Sequence, residues 1–136
     1  MSMNAYLIFE GCCEDAFKFY EKVFGGKIEA IQTYGGTPAE EHVPPEWAQK
    51  IIHAKFVVGD GVLMGSDTPS GMFKPMQGMS VAYHVADPAE AERIFADLAE
   101  GGSVTMPIEE TFWAQRFGMV VDRFGTPWMI NCEKPM

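Results

Sequence analysis

Basic residues are scarce in this sequence. Ten Lys and Arg stand against nineteen Asp and Glu, which leaves a formal charge of -9 and an isoelectric point near 4.7. A field of that sign repels phosphate backbones and anionic lipid, so neither nucleic acid nor a membrane surface is expected as a partner. Long apolar runs are missing as well. Stretches such as Ala5 to Phe9 fall far short of the roughly 20 residues that cross a bilayer. The opening Met-Ser-Met-Asn-Ala-Tyr lacks the basic region and cleavage pattern of a signal peptide, and a cytoplasmic location is expected.

Cysteine is rare and odd in number. Cys12 and Cys13 are adjacent, where ring strain opposes a mutual disulfide, and Cys132 is far along the chain, which fits a reducing compartment. No CxxC, HExxH or His-x-His occurs, so the usual zinc spacings are absent. Neither is there a GxGxxG or Walker loop to cradle phosphate.

What is present suits one globular domain: 136 residues, 47% of them hydrophobic and 21% charged. Asn4 to Glu10 reads as a buried strand closed by Gly11. Ala16, Phe19, Tyr20 and Val23 then recur at helical spacing until Gly25-Gly26 stops the helix. Strands are expected at 27–34, 51–58 and 62–66, the last two joined by a Gly59-Asp60-Gly61 turn, with a loop at 35–49 holding at most one helical turn at 45–49. The Pro- and Gly-rich stretch 67–78 reads as a linker.

The second half repeats the order. A strand is expected at 79–85, then a helix with Asp87 as N-cap, Pro88 at the first position and Glu90 completing a capping box. Its apolar stripe is Ala91, Ile94, Phe95 and Leu98, and Gly101-Gly102 ends it. Strands at 103–109, 117–122 and 127–133 follow. An offset of 75 places Ala16 on Ala91, Tyr20 on Phe95, Val23 on Leu98 and Ala5 on Ser80; an offset of 65 places Met64 on Met129. The pattern is a tandem β-α-β-β-β repeat in a single α+β domain, with module one at about 4–66 and module two at about 79–133.

The runs FYEKVFGG at Phe19 to Gly26, LMGSD at Leu63 to Asp67, AEGGSVTMP at Ala99 to Pro107, TFWAQRFG at Thr111 to Gly118 and DRFGTPWMINC at Asp122 to Cys132 resemble the PhnB-like branch of the vicinal oxygen chelate superfamily. That superfamily also holds glyoxalase I, bleomycin-resistance proteins and extradiol dioxygenases. The resemblance spans nearly the whole chain and implies two modules whose mixed sheets curl around a cavity, commonly in a homodimer, with helices outside. In metal-bearing members the ligands lie on the first and last strand of each module. Those positions align with Ala5, Met64, Ser80 and Met129, none a competent ligand for a hard or borderline divalent ion. No metal and no cofactor is therefore expected. Members of this branch often carry a 3-demethylubiquinone 3-methyltransferase label. No glycine-rich loop or doubly wound sheet is expected here to hold the methyl donor's nucleoside.

The candidate ligand-binding residues are His53, Met64, Ser80, His84, Trp113, Arg116 and Met129. His53, at the start of a strand, and Arg116, aligned with it in the second module, suit an anionic or carbonyl-bearing ligand, or a strand-end histidine and a surface arginine. Trp113 suits an aromatic cavity wall or core packing, and Trp128 suits core. Methionines at 64, 79, 119 and 129 suit an adaptable pocket or loosely specified core. Tyr83 and His84 must point to opposite faces of their strand. Cys12 and Cys13 precede a helix whose dipole favours a thiolate, but Glu10, Glu14 and Asp15 oppose it. The expected function is small-molecule binding in a mostly apolar cavity. The alternatives are a metal-dependent glyoxalase-like lyase or dioxygenase, and a protein-interaction role for the acidic surface.

Overall fold

The strand and helix expected at the start are β1 (Ala5–Phe9) and α1 (Cys13–Phe24) in a computed structural model that describes residues 2–69 and 71–135. They are followed by β2 (Lys27–Thr33), β3 (Ile51–Val58) and β4 (Gly61–Asp67). The second pass is β5 (Val81–His84), α2 (Pro88–Ala99), β6 (Ser103–Glu109), β7 (Ala114–Val121) and β8 (Pro127–Glu133). The chain divides into two compact units, the first ending at Pro75 and the second beginning at Met76. Each contains one helix and one four-stranded mixed sheet, in the orders β1-β4-β3-β2 and β5-β8-β7-β6, with β1–β4 and β5–β8 as the parallel pairs.

In the first unit α1 buries Ala16, Phe17, Tyr20, Val23 and Phe24. Phe17 meets Phe9 and Phe56 edge-on at ring-centroid distances of 6.2 and 6.3 Å. Each such side chain withdrawn from water contributes about 1.5–3 kcal/mol. The helix stops because Gly25 adopts φ 76°, and its N–H donates to the Glu21 carbonyl at 3.0 Å. In the second unit α2 buries Ala91, Ile94, Phe95 and Leu98. The Asp87 carboxylate accepts from the Ala89 N–H at 3.0 Å, as an N-cap should. Glu90, expected to complete a capping box, instead accepts from Arg93 Nε at 2.9 Å.

Several boundaries differ from expectation by a residue or more. β5 starts at Val81, which leaves Met79 and Ser80 outside the strand. β7 starts three residues earlier than expected, at Ala114, because Thr111 Oγ1 accepts from the Trp113 and Ala114 N–H groups and closes the β6–β7 turn there. The 35–49 loop contains two 3-10 turns, Pro38–His42 and Pro45–Trp47, each with proline in its first turn.

Gly118 marks where β7 meets its helix. A Cβ there would lie 2.7 Å from Phe95 Cε2 and 2.9 Å from the Ile108 Cα. Gly118→Ala is expected to destabilise the protein by about 1–3 kcal/mol through overpacking, read as a lower urea midpoint at unchanged slope. A midpoint at or above the wild-type value would show that β7 and α2 are not packed this closely.

Candidate functional site

Side chains alternate across a strand, so each sheet has one face under its helix and one open face. In the second unit the strand pairings fix which residues share the open face. Met106 pairs with Met119, Met119 with Met129, and Met129 with Ala82, forming one transverse row across β6, β7, β8 and β5. The next row is Glu109, Phe117, Asn131 and His84.

Two rows with different chemistry therefore lie side by side. The first is thioether and methyl. The second contains a polar pair, in which Asn131 Nδ2 donates to His84 Nδ1 at 3.1 Å. Asn131 is only 8% exposed, and among the described residues its Oδ1 has no hydrogen-bond partner. An orphaned buried acceptor costs about 1–3 kcal/mol, so this atom is the least satisfied point on the face. A cavity of about 410 Å³ lies against the partner of this amide, lined by His84, Gln115 and Glu133 among others. Trp113 stacks edge-on against Phe117 at 5.3 Å and Phe112 at 4.8 Å, extending the aromatic surface at the same end of β7.

Of the residues singled out in the sequence, His84, Met129 and Trp113 come together on or beside this face. Ser80 lies in a groove of about 340 Å³ that it shares with Met76, Met79 and Met119. His53 and Met64 belong to the open face of the first unit, where Tyr6 pairs with Met64 and its Oη lies 3.3 Å from His53 Nδ1.

Arg116 is a correction. It pairs with Cys132 on the helix side of the sheet, where its Nε lies 3.7 Å from a Glu92 carboxylate oxygen of α2. The expected equivalence with His53 fails by one residue. Ala54 pairs with Gly65, and Gly118 with Ile130, so His53 corresponds to Phe117 and Arg116 to Ile52. A one-residue slip reverses the face on which a side chain lies. The same slip affects Ala5 and Ser80. Ala5 pairs with Leu63 and Val81 with Trp128, which aligns Ala5 with Val81 and makes Tyr6 and Ala82 the open-face residues beside Met64 and Met129.

That register allows the metal chemistry implied by the resemblance to be tested against its donors. A phenol and a thioether in one unit, and a methyl and a thioether in the other, do not suit a hard or borderline divalent ion. Among the described residues, no three His, Cys, Asp or Glu converge to make such a site elsewhere. Cys13 offers no alternative centre. Cys13 is fully buried, and burial, with Asp67, Cys12 and Glu14 adding to it, pushes its pKa well above the usual thiol range. The thiolate is the reactive form, so Cys13 in the native protein is expected to resist iodoacetamide at pH 8.5 and react only on unfolding. Peptide mass spectrometry of labelled protein checks this, and rapid native labelling of Cys13 would contradict it.

The protein family is decided by a match along most of the chain. A family model described as 3-demethylubiquinone-9 3-methyltransferase matches residues 2–131. The chain belongs to that family. Protein YjdN of Escherichia coli is 34% identical over 145 residues, covering 98% of this chain and 97% of the relative. The crystal structure of PA1353 from Pseudomonas aeruginosa is 46% identical with a TM-score of 0.89, covering 99% of each chain. The PhnB protein from Bacillus cereus is 25% identical with a TM-score of 0.82, covering 97% and 99%. At fold level alone, the chain is similar to a glyoxylase/bleomycin resistance protein/dioxygenase domain from Frankia sp., at 12% identity and a TM-score of 0.66 over 98% of each chain. It is thus PhnB-like, and among the described residues its two α-helices and two four-stranded mixed sheets, with no closed barrel, share the fold of that glyoxylase/bleomycin resistance protein/dioxygenase domain. No helix among the described residues is long and apolar enough to cross a membrane.

Asn131 was not among the residues singled out as site candidates. Its signal was present: one amide within the otherwise apolar Trp128 to Cys132 run.

Proposed function

We propose that this PhnB-like protein binds a small, largely apolar organic molecule on the open face of its second unit. The ligand is uncharged or cationic and carries an N–H or O–H that donates to Asn131 Oδ1. The observation that carries this reading is the buried, unpaired Asn131 oxygen set between His84 and the Phe117 and methionine surface. A ligand donor recovers the cost of leaving that acceptor unpaired, while aromatic and thioether groups supply contact area. The preference against anions follows from Arg116. It is the one Lys or Arg in strands β5 to β8, and it lies on the opposite face with Glu92.

Methyl transfer from a nucleoside donor is not part of this reading, because each sheet has a single parallel pair and no crevice of the doubly wound kind. Homodimer formation is. The support is the exposed edge strand β6 and its turn, where Phe112 is 89% exposed. Light scattering that gives only the 15.1 kDa monomer mass at micromolar concentration overturns the dimer.

The binding reading is tested by screening uncharged, cationic and anionic organic compounds by thermal shift and then by NMR. Binders are expected to move the Asn131 side-chain amide signals. Asn131→Leu is expected to weaken them by about tenfold or more, whereas Arg116→Gln leaves them unchanged. Binding restricted to anions, or lost with Arg116→Gln and retained with Asn131→Leu, overturns it.

A further inference from the structure

We infer that the second unit holds a site for a soft monovalent metal ion of the copper(I) or silver(I) class, formed by Met106, Met119 and Met129. The three are consecutive in one transverse row, Met119 paired with Met106 on one side and Met129 on the other. Directly opposed side chains in a sheet have Cβ atoms about 4.5–5.5 Å apart. A methionine side chain has three rotatable bonds, of which the first two place its sulfur, so the outer two thioethers can turn toward the central one and share an ion.

Strand formation does not require methionine here, since β-branched and aromatic residues are the favoured choices. Nor is the row a general property of the repeat. The corresponding row in the first unit is Ala30, Lys55 and Met64, whose lysine is ion-paired with Glu29 at 2.9 Å. That row cannot hold a cation in the same way.

Three further observations favour the ion. Met119 also lines the groove that contains Met76 and Met79, which brings two more thioethers near the row. Met106 at the edge of the row is 43% exposed, and Met119 and Met129 are half-buried, so solvent reaches the row from the β6 side. Residues 76–136 contain four Lys and Arg against nine Asp and Glu, and the sheet's own arginine faces away, so a cation meets no repulsion at the open face. Thioethers are soft donors with no proton to lose, which selects copper(I) or silver(I) over hard divalent ions and needs no change of oxidation state on binding. This inference does not depend on the organic-ligand reading, which takes its hydrogen bond from Asn131 in the adjacent row and uses the methionines only as contact surface.

The test uses the full chain labelled with 13C at the methionine methyl groups and titrated with silver(I) nitrate in chloride-free buffer. The methyl signals of Met106, Met119 and Met129 are expected to move together and saturate with about one ion beyond any that the partly exposed thiol of Cys12 takes up. Those of Met3 and Met72, 95% and 78% exposed, are expected to stay. In an anaerobic competition for copper(I) against a colorimetric chelator, Met119→Leu is expected to lower affinity by about tenfold or more while retaining the fold. Three unmoved methyl signals overturn the site, including when silver is taken up by Cys12, Cys13 or Cys132. Undiminished copper(I) affinity in Met119→Leu also overturns it. Asn131→Leu separates the two readings, because it is expected to lose the organic ligand and keep the silver titration.

Discussion

Asp67→Ala is expected to lower the unfolding free energy by about 3–5 kcal/mol, as loss of a buried charged acceptor does when its donors remain. Asp67 is 1% exposed at the end of β4. Its Oδ1 accepts from the N–H groups of Gly11 and Cys13, and its Oδ2 from that of Ile51, each at 2.9 Å. Its own carbonyl accepts from the Tyr34 hydroxyl at 2.6 Å. One carboxylate therefore ties together the β1–α1 turn, the first turn of α1 and the start of β3. Alanine leaves three donors without that acceptor in a place water reaches poorly. Asp67→Asn keeps an acceptor for two of them but sets an amide nitrogen against the third, or the reverse, so an intermediate loss is expected. Urea denaturation followed by circular dichroism measures both. A loss below about 1 kcal/mol in the alanine variant would mean that these N–H groups find other partners.

Asp67 also shows where sequence reasoning ends. A charged residue followed by Thr, Pro, Ser and Gly has the composition of a solvated linker, and 67–78 reads that way. Its burial is set by three N–H groups, two of them more than fifty positions away in the chain, and no local pattern reports them. The helices were legible because their stripes are local: Ala16, Tyr20 and Val23 share a face whatever the tertiary structure. The hairpin at Gly59-Asp60-Gly61 was legible for a similar reason, with Gly59 at φ 57° in the turn between β3 and β4. The apolar strand expected at 79–85 has no clean alternation to fix its phase, and the alignment of the modules slipped by one residue there. That slip selected Ala5 and Ser80 in place of Tyr6 and Ala82. A similar slip on β7 aligned Arg116 with His53 and suggested an anion clamp. Met64 and Met129 were aligned correctly because β4 and β8 share a constant offset. The methionine row and the Asn131–His84 pair depend on pairing across strands, which one sequence does not contain.

Asp122→Ala is expected to cost about 3–5 kcal/mol in the second unit, and its consequence extends to the candidate sites. Asp122 is 3% exposed. Its Oδ1 accepts from the Phe124 and Thr126 N–H groups at 2.8 and 3.0 Å, and its Oδ2 from the Trp128 indole at 2.9 Å. These bonds close the β7–β8 turn, and the pairing that starts at Val121 and Pro127 continues to Met119 with Met129 and Phe117 with Asn131. The turn therefore holds the register on which both rows depend. Trp128→Phe removes the indole donor and also part of a fully buried ring, so its loss combines a broken hydrogen bond with a cavity. Because the two residues share one bond, the double variant is expected to fall short of the sum of the single losses by about 0.5–3 kcal/mol. Fully additive losses would mean that the indole bond contributes nothing. If the alanine variant remains folded, its Asn131 and Met129 signals are expected to shift although neither residue touches the substitution. Unmoved signals would show that pairing along β7 and β8 holds the register without the turn.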